Sequence, residues 1–201
     1  MAPYISDRQF TNHIHDNVAL PNIYQPLGWV KVKLDDAIAE QIDMQDGIDY
    51  VFQHNGVTKT VQERFRESKY SQYSDFTIRY RRDGNMHADR HQSEYYKMKA
   101  SYFTYGITNC LKTELPDCTA FLKYAIIDLE KVYSKIDSGE IIIRDNSRNF
   151  CRIITVEGKR IIECPVKYNG DGSSSFFPIE ISFLIDLFGN DIVIAQNGFI
   201  Q

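Results

Sequence analysis

The stretch that decides the fold is residues 47–66, GIDYVFQHNGVTKTVQERFR. It contains two runs typical of β-strands, joined by an Asn-Gly dipeptide at 55–56, which is a strong signal for a tight hairpin turn. The first run, Ile48 to Gln53, carries an acid at Asp49, and the second, Thr58 to Arg66, alternates apolar and polar side chains. We therefore predict an antiparallel hairpin with a carboxylate at the head of its first strand.

The alternation on the second strand divides its side chains between two faces. Because successive side chains of a strand point to opposite faces, Gln62 and Arg64 share one face and Glu63 lies on the other. The hairpin can then bring the Asp49 carboxylate, the Gln62 amide oxygen and the Arg64 guanidinium to one point. Metal-assisted cleavage of a phosphodiester needs oxygen ligands for the metal and a cation that stabilises the charge on the phosphorus centre. Since Mg²⁺ keeps several waters, one or two carboxylates and a carbonyl suffice to bind it.

Two further acids are candidates for the same site. A register shifted by one residue uses Glu63 as a metal ligand but places Phe65 where the cation belongs. Glu40 adds another acid from a preceding helix, which the spacing of apolar residues predicts from Leu34 to Met44. The alternative interpretation is that Asp49 caps or pairs with a neighbour, while Gln62, Arg64 and Arg66 line a solvated face of the strand.

This pattern resembles the PD-(D/E)XK nuclease superfamily, which includes many restriction enzymes and phage or repair nucleases. The resemblance covers about residues 34–82, in which Ile48-Asp49 stands for the family's Pro-Asp and Gln62-Glu63-Arg64 for its (D/E)-x-K element. Two departures matter. Gln62 replaces an acid, which the superfamily tolerates. Arg64 replaces the lysine, and because arginine stays protonated it would orient and stabilise the phosphate rather than deprotonate water.

The resemblance implies a fold, a cofactor and a partner. The fold would be α/β, restriction-endonuclease-like, with a central mixed β-sheet flanked by helices; α+β is the alternative class. The cofactor would be Mg²⁺ or Mn²⁺, the partner a nucleic acid, with DNA the expected one, and the protein would bind it as a homodimer.

The chain of 201 residues is expected to form a single domain with three parts. Residues 1–27 are predicted to be an irregular N-terminal arm, because Pro21 and Pro26 interrupt any helix. Residues 28–135 form the core that carries the nuclease motif, and residues 136–201 form a β-rich C-terminal part.

Charge is distributed unevenly along the chain. The formal net charge is −4, which argues against bulk attraction of nucleic acid. Residues 61–100, however, hold nine Lys or Arg against six acids, and this segment is the predicted guide for a phosphate backbone. The candidate contacts within it are Arg66, Lys69, Arg79, Arg81, Lys97 and Lys99.

Hydrophobic residues make up 43% of the chain, enough for a core, and no apolar run is long enough to span a membrane. The N-terminus lacks the apolar core of a signal peptide. The four cysteines form no CxxC pair, so we expect free buried thiols, and a cytoplasmic protein.

The sequence thus predicts a metal-dependent nuclease, most simply an Mg²⁺-dependent DNA endonuclease of phage, mobile-element or restriction type. The alternative is a catalytically inactive nucleic-acid-binding or protein-interaction protein on the same fold, which the loss of the second acid and of the lysine favours.

Overall fold

The computed structural model describes residues 3–81, 93–145, 150–170 and 174–200. The helices are α1 (Pro3–Ile14), a π-helix (His15–Tyr24), α2 (Asp36–Asp46), α3 (Glu94–Lys97), α4 (Leu129–Asp137) and α5 (Ile181–Phe188), with 3₁₀ turns at Ser68–Tyr70, Lys112–Asp117 and Gly189–Asp191. The strands are β1 (Val30–Lys31), β2 (Tyr50–His54), β3 (Val57–Arg66), β4 (Asp75–Arg81), β5 (Tyr102–Thr108), β6 (Phe121–Asp128), β7 (Ile141–Arg144), β8 (Arg152–Val156), β9 (Lys159–Pro165), β10 (Lys167–Tyr168), β11 (Ser175–Glu180) and β12 (Val193–Asn197).

A mixed six-stranded sheet in the order β1-β2-β3-β5-β6-β12 organises the described part of the chain. β2 and β3 pair antiparallel, as the Asn-Gly turn predicts, and β3 then pairs parallel with β5. Two three-stranded sheets, β10-β11-β4 and β7-β9-β8, accompany it. The predicted α/β class is confirmed, with helices flanking a mixed sheet. The C-terminal part is β-rich as expected, and β12 adds to the edge of the main sheet.

The two faces of the main sheet are buried in two separate hydrophobic clusters. One face packs against α1 and the π-helix through residues such as Phe10, Ile14 and Phe52. The other face, which includes Phe103 and Tyr105 of β5, packs against α4, α5 and the smaller sheets. A strand such as β6 therefore presents alternate side chains to two apolar layers, with Ile126 in one and Ile127 in the other.

The N-terminal arm is the part of the prediction that the structure corrects. Residues 3–24 are helical, not irregular, and Pro21 lies inside the π-helix. Ile14, Val18 and Ile23 are buried to 1% exposure or less against the sheet. This tertiary burial outweighs the weak local helix signal and the cost of the proline.

The cysteine prediction is also partly wrong. Cys110 and Cys118 form a disulfide, because the connection between β5 and β6 brings their Cα atoms to 5.1 Å. Cys151 and Cys164 are free, as predicted, and their sulfur atoms lie 3.6 Å apart.

Gly106 of β5 is a position where the packing excludes any side chain. A Cβ atom built there lies 2.5 Å from Cε1 of Phe121 and 3.2 Å from Cδ1 of Phe65. Gly106→Ala should therefore lower the free energy of unfolding by about 1–3 kcal/mol, the usual cost of overpacking. Gly170→Ala is the control, because its Cβ meets nothing within 4 Å. Denaturant titration of both variants measures the effect, and equal midpoints would contradict the expected clash.

Candidate functional site: an acidic cavity at the head of the hairpin

Asp49 is fixed at the head of β2 by the end of the helix before it. Gly47 caps α2 in the left-handed conformation, with φ 61°, as the sequence predicts for a glycine at this place. The chain then turns, and the Asp49 amide donates a hydrogen bond to the Val61 carbonyl oxygen at 2.9 Å. The β2–β3 register consequently sets Asp49 opposite Gln62.

The Asp49 carboxylate and the Gln62 side chain meet, as the sequence predicts. Oδ2 of Asp49 accepts hydrogen bonds from Nε2 of Gln62 at 2.8 Å and from the amide of Glu63 at 2.6 Å. Burial raises the pKa of Asp49 well above its usual range, and the charges of Glu63 and Asp43 raise it further. The Glu63 amide and the more distant Arg64 oppose this shift only in part. A bound cation would stabilise the ionised carboxylate.

Asp49 and Gln62 line a cavity of about 640 Å³ between α1 and α2, which we call the acidic cavity. Its lining contains six acids: Asp7, Asp36, Glu40, Asp43, Asp49 and Glu63. Arg8 is the basic residue of that lining. Four of the five predicted catalytic residues thus surround one concavity, and Glu40 reaches it from α2 as expected.

Glu63, the alternative metal ligand, is engaged in a buried polar network. Nδ1 of His15 lies 2.9 and 3.0 Å from its two carboxylate oxygens, and the Tyr24 hydroxyl donates to Oε1 at 2.6 Å. Oη of Tyr24 also lies 2.8 Å from Oγ1 of Thr104, whose hydroxyl donates to it while Tyr24 donates to Glu63. The His15 ring stacks on Tyr50, with centroids 3.4 Å apart. These contacts hold the Glu63 carboxyl between the main sheet and the π-helix. Asp49 is then the carboxylate that faces Gln62.

Burial acts on both titrating groups of this network. It raises the pKa of Glu63 to about 8 and lowers the pKa of His15 to about 3. Each group is therefore held in its neutral form near pH 7, since a charge in this dry region would be costly. One neutral arrangement has the protonated Glu63 carboxyl donating to Nδ1 of His15.

The Glu63 shift makes stability depend on pH. Because its folded pKa lies above the unfolded value of 4.5, its contribution is present at low pH and is lost as pH rises toward 8. His15 titrates differentially only between about 3 and 6.5, so above pH 6.5 the slope comes from Glu63 and from Asp49, whose pKa burial also raises. In EDTA, we expect the Glu63 contribution alone to lower the free energy of unfolding by about 1–2 kcal/mol between pH 6.5 and 8. Urea titrations at each pH test this, with Glu63→Gln as the control that should lose this part of the slope; an unchanged slope in that variant would refute the assignment.

Arg64 shares the sheet face of Gln62 but does not line the acidic cavity. Nη2 of Arg64 binds both carboxylate oxygens of Glu94 at 2.8 and 2.9 Å, and Nη1 donates to the carbonyl oxygen and, at 3.1 Å, to Oγ1 of Thr77. Its guanidinium also lies 5.5 Å from the centre of the Phe103 ring. The carboxylate of Glu94 keeps the pKa of Arg64 above its usual value despite burial. The predicted convergence of three groups is therefore wrong for Arg64: Asp49 and Gln62 meet, but the Arg64 guanidinium is held by Glu94 and Thr77 away from the acidic cavity.

The predicted nucleic-acid contacts divide into two groups. Arg66 and Arg79 line a cavity of about 280 Å³ beside Arg64. The others are engaged elsewhere: Lys69 pairs with Glu67, Lys97 donates to the Met44 carbonyl oxygen, and Lys99 pairs with Asp46. Arg81 ends β4, and its side chain lies outside the described residues, as do Arg82 and Arg90 of the basic segment.

Sequence reasoning missed three residues that shape this site: His15, Tyr24 and Glu94. His15 and Tyr24 lie 48 and 39 positions from Glu63, and Glu94 lies 30 positions from Arg64. No spacing rule connects residues so far apart. The one available signal was the placement of Glu63 on the apolar face of β3, which demands buried polar partners.

Across the ranges that the structure describes, no group of three His, Cys, Asp or Glu side chains is close enough to hold a metal ion. The predicted metal ligands are thus reduced to one carboxylate, Asp49, beside the side-chain amide of Gln62, which at present directs its N–H toward that carboxylate. None of the described helices has the length and apolar character needed to span a membrane. Comparison of the chain with protein-family models, curated proteins and solved structures found no match.

Proposed function

We propose that this protein is a metal-dependent nuclease that cleaves phosphodiester bonds, with DNA as its substrate and Mg²⁺ or Mn²⁺ as its cofactor. The observation that carries the proposal is the meeting of Asp49 and Gln62 at 2.8 Å on adjacent strands, at the wall of an open acidic cavity. The order of helix α2, strand β2 with its leading acid, and strand β3 with Gln62-x-Arg64 supports a restriction-endonuclease-like fold.

In this proposal, residues of the acidic cavity bind the metal ion and orient the water beside it. Asp49 and Gln62 would hold the metal, which requires the Gln62 amide to turn its oxygen toward the ion in place of its present N–H donation. Glu40 and Asp43, which line the same cavity, would add acceptors for water held near the metal. The metal, when bound, supplies a more acidic water and neutralises phosphate charge. Asp49, ionised in the metal-bound state, then balances part of the metal charge.

Arg64 acts in this account as a fixed positive charge behind the site. Its bidentate pair with Glu94 holds the guanidinium on the face of β3 that also carries Gln62. Arg66 lies two residues further along β3, on the same face, and would contact the phosphate backbone. Arg64 would therefore act at a distance, through its charge, and not as a proton acceptor.

The second candidate is an inactive binding protein on the same fold, and the engagement of Arg64 by Glu94 is the observation that favours it. A cleavage assay separates the two. Purified protein is incubated with supercoiled plasmid, branched DNA and single-stranded RNA, in Mg²⁺, Mn²⁺ or EDTA. If the protein is a nuclease, we expect it to cleave DNA in Mg²⁺ or Mn²⁺ and not in EDTA. Intact substrates under every metal would leave the binding protein as the better account. Homodimer formation and a cytoplasmic location stay predictions.

A further inference from the structure

A second concave region lies between β3 of the main sheet and the strands β4 and β11 of the neighbouring sheet, and we call it the aromatic groove. It consists of two adjoining cavities of about 340 and 280 Å³. The two cavities share Arg66, Thr77 and Phe176 in their linings. Because Arg64 and Arg66 extend the β3 face that begins with Gln62, the groove continues the proposed metal site along the same strand.

The larger cavity has flat aromatic walls. Tyr70, Tyr73, Phe150 and Phe176 line it. The Tyr70 and Tyr73 ring centres are 6.3 Å apart, and the Phe150 side chain is 79% exposed, with Nζ of Lys167 lying 5.6 Å from its ring centre. Exposed aromatic rings around a concavity of this size are suited to stacking on a flat ligand such as a nucleobase.

Two carboxylates stand at the floor of the same cavity. Asp75 and Glu180 occupy paired positions across β4 and β11. Glu180 accepts one hydrogen bond, from Oγ of Ser182 at 3.3 Å, and among the described residues neither acid has a Lys or Arg within ion-pair distance. Burial and the charge of Asp75 raise the pKa of Glu180. This floor offers acceptors to a ligand that brings N–H donors.

The smaller cavity is cationic. Arg66 donates to Oγ1 of Thr77 at 3.3 Å, and its guanidinium lies 5.6 Å from the ring centres of both Tyr70 and Tyr105. Within the part of the chain that the structure describes, it has no carboxylate partner. Arg79 lines the same cavity. A guanidinium held over aromatic rings and open to a cavity is a suitable partner for a phosphate.

We propose that the aromatic groove binds one unpaired nucleotide of a nucleic-acid strand, with its base in the larger cavity and its phosphate at Arg66 in the smaller one. This inference rests on the proposed nuclease function and names its substrate class: DNA that presents a single-stranded or extrahelical base. The carboxylate floor selects bases with an exocyclic amino group, because Asp75 and Glu180 accept from the amino groups of cytosine or adenine, whereas thymine offers only N3–H, flanked by two carbonyl oxygens that the carboxylates repel.

The proposal is tested by measuring the binding of 12-nucleotide homopolymers of dC, dA and dT. Fluorescence anisotropy in EDTA gives the affinity for each. We expect dC and dA to bind on the order of tenfold more tightly than dT. Phe150→Ala should weaken binding of dC about fivefold or more through the loss of stacking. Val57→Ala is the matched control, since Val57 is 57% exposed and does not line the groove.

A second variant tests the selectivity itself. Glu180→Gln adds an N–H donor to the floor and should narrow the difference between dC and dT, because the amide can donate to the thymine O4. Equal binding of the three homopolymers by the unmodified protein, or unchanged binding by Phe150→Ala, would overturn the proposal.

The assay contains no divalent metal, so its outcome is independent of cleavage. If the protein binds dC and dA selectively but cuts no DNA, nucleotide binding in the aromatic groove is supported and the nuclease proposal is refuted. Metal-dependent cleavage by a protein that binds the three homopolymers equally retains the nuclease and overturns the groove.

Discussion

Asp49→Asn is expected to lower the rate of Mg²⁺-dependent DNA cleavage by about 10³-fold or more. The variant replaces the carboxylate that would hold the metal with a neutral amide, whose single oxygen can still accept from Nε2 of Gln62 and from the Glu63 amide but carries no charge to bind a cation. Loss of a single preorganised electrostatic group at a reacting centre commonly costs 10²–10³-fold, about 3–4 kcal/mol, and loss of a metal ligand removes more than one such interaction. Single-turnover cleavage of a labelled duplex at saturating protein measures the effect.

The same variant should lose cleavage activity without losing thermal stability. Because burial raises the pKa of Asp49, the folded protein favours the neutral side chain at this position. We therefore expect Asp49→Asn to melt at the temperature of the unmodified protein or above it. Asp46→Asn, three residues earlier and outside the acidic cavity, is the control and should retain full cleavage. Cleavage by Asp49→Asn at the same rate as Asp46→Asn would refute the assignment of the metal site.

The second large effect concerns stability and involves Arg64. Arg64→Met should lower the free energy of unfolding by about 3 kcal/mol, because it leaves the Glu94 carboxylate, whose side chain is 10% exposed, without its bidentate partner. Glu94 would keep the hydrogen bond from the Arg79 amide at 3.1 Å, which compensates only part of the charge. Denaturant unfolding measures the loss.

A double-mutant cycle separates the pair from its surroundings. The variant Arg64→Met/Glu94→Gln removes both charges and should recover much of the stability that Arg64→Met loses, since replacing both members of a buried pair costs less than removing one. Arg160→Met is the matched control, because Arg160 and Asp186 form an ion pair with both side chains more than half exposed. Its loss should stay within about 0.5 kcal/mol. A double variant as unstable as Arg64→Met would contradict the pairing.

The hairpin and its site were predictable because their signals are local. Asn55-Gly56 specifies the turn, Gly47 ends the helix, and alternation along β3 places Gln62 and Arg64 on one face. The meeting of Asp49 with Gln62 follows from the register that this turn imposes. These features depend on residues within about 20 positions of one another, the range over which period and turn rules apply.

The remaining features depend on contacts between distant segments. The N-terminal helices are stabilised by burial of Phe10, Ile14 and Ile23 against the sheet, which no local pattern at Pro21 reveals. The engagement of Glu63 by His15 likewise requires the N-terminal segment to return to β3. Residues 61–100 showed a basic excess, but the sequence did not indicate which cations already have internal partners.

The central claim, that Asp49 and Gln62 form a divalent-metal site, is tested most directly by locating the ion. Crystals soaked in Mn²⁺ are measured at a wavelength where manganese scatters anomalously. We expect an anomalous peak about 2.1 Å from a carboxylate oxygen of Asp49, with the Gln62 amide oxygen as a second ligand. Crystals in which no Mn²⁺ lies within coordinating distance of Asp49, grown from protein that cleaves DNA in Mn²⁺, would contradict it.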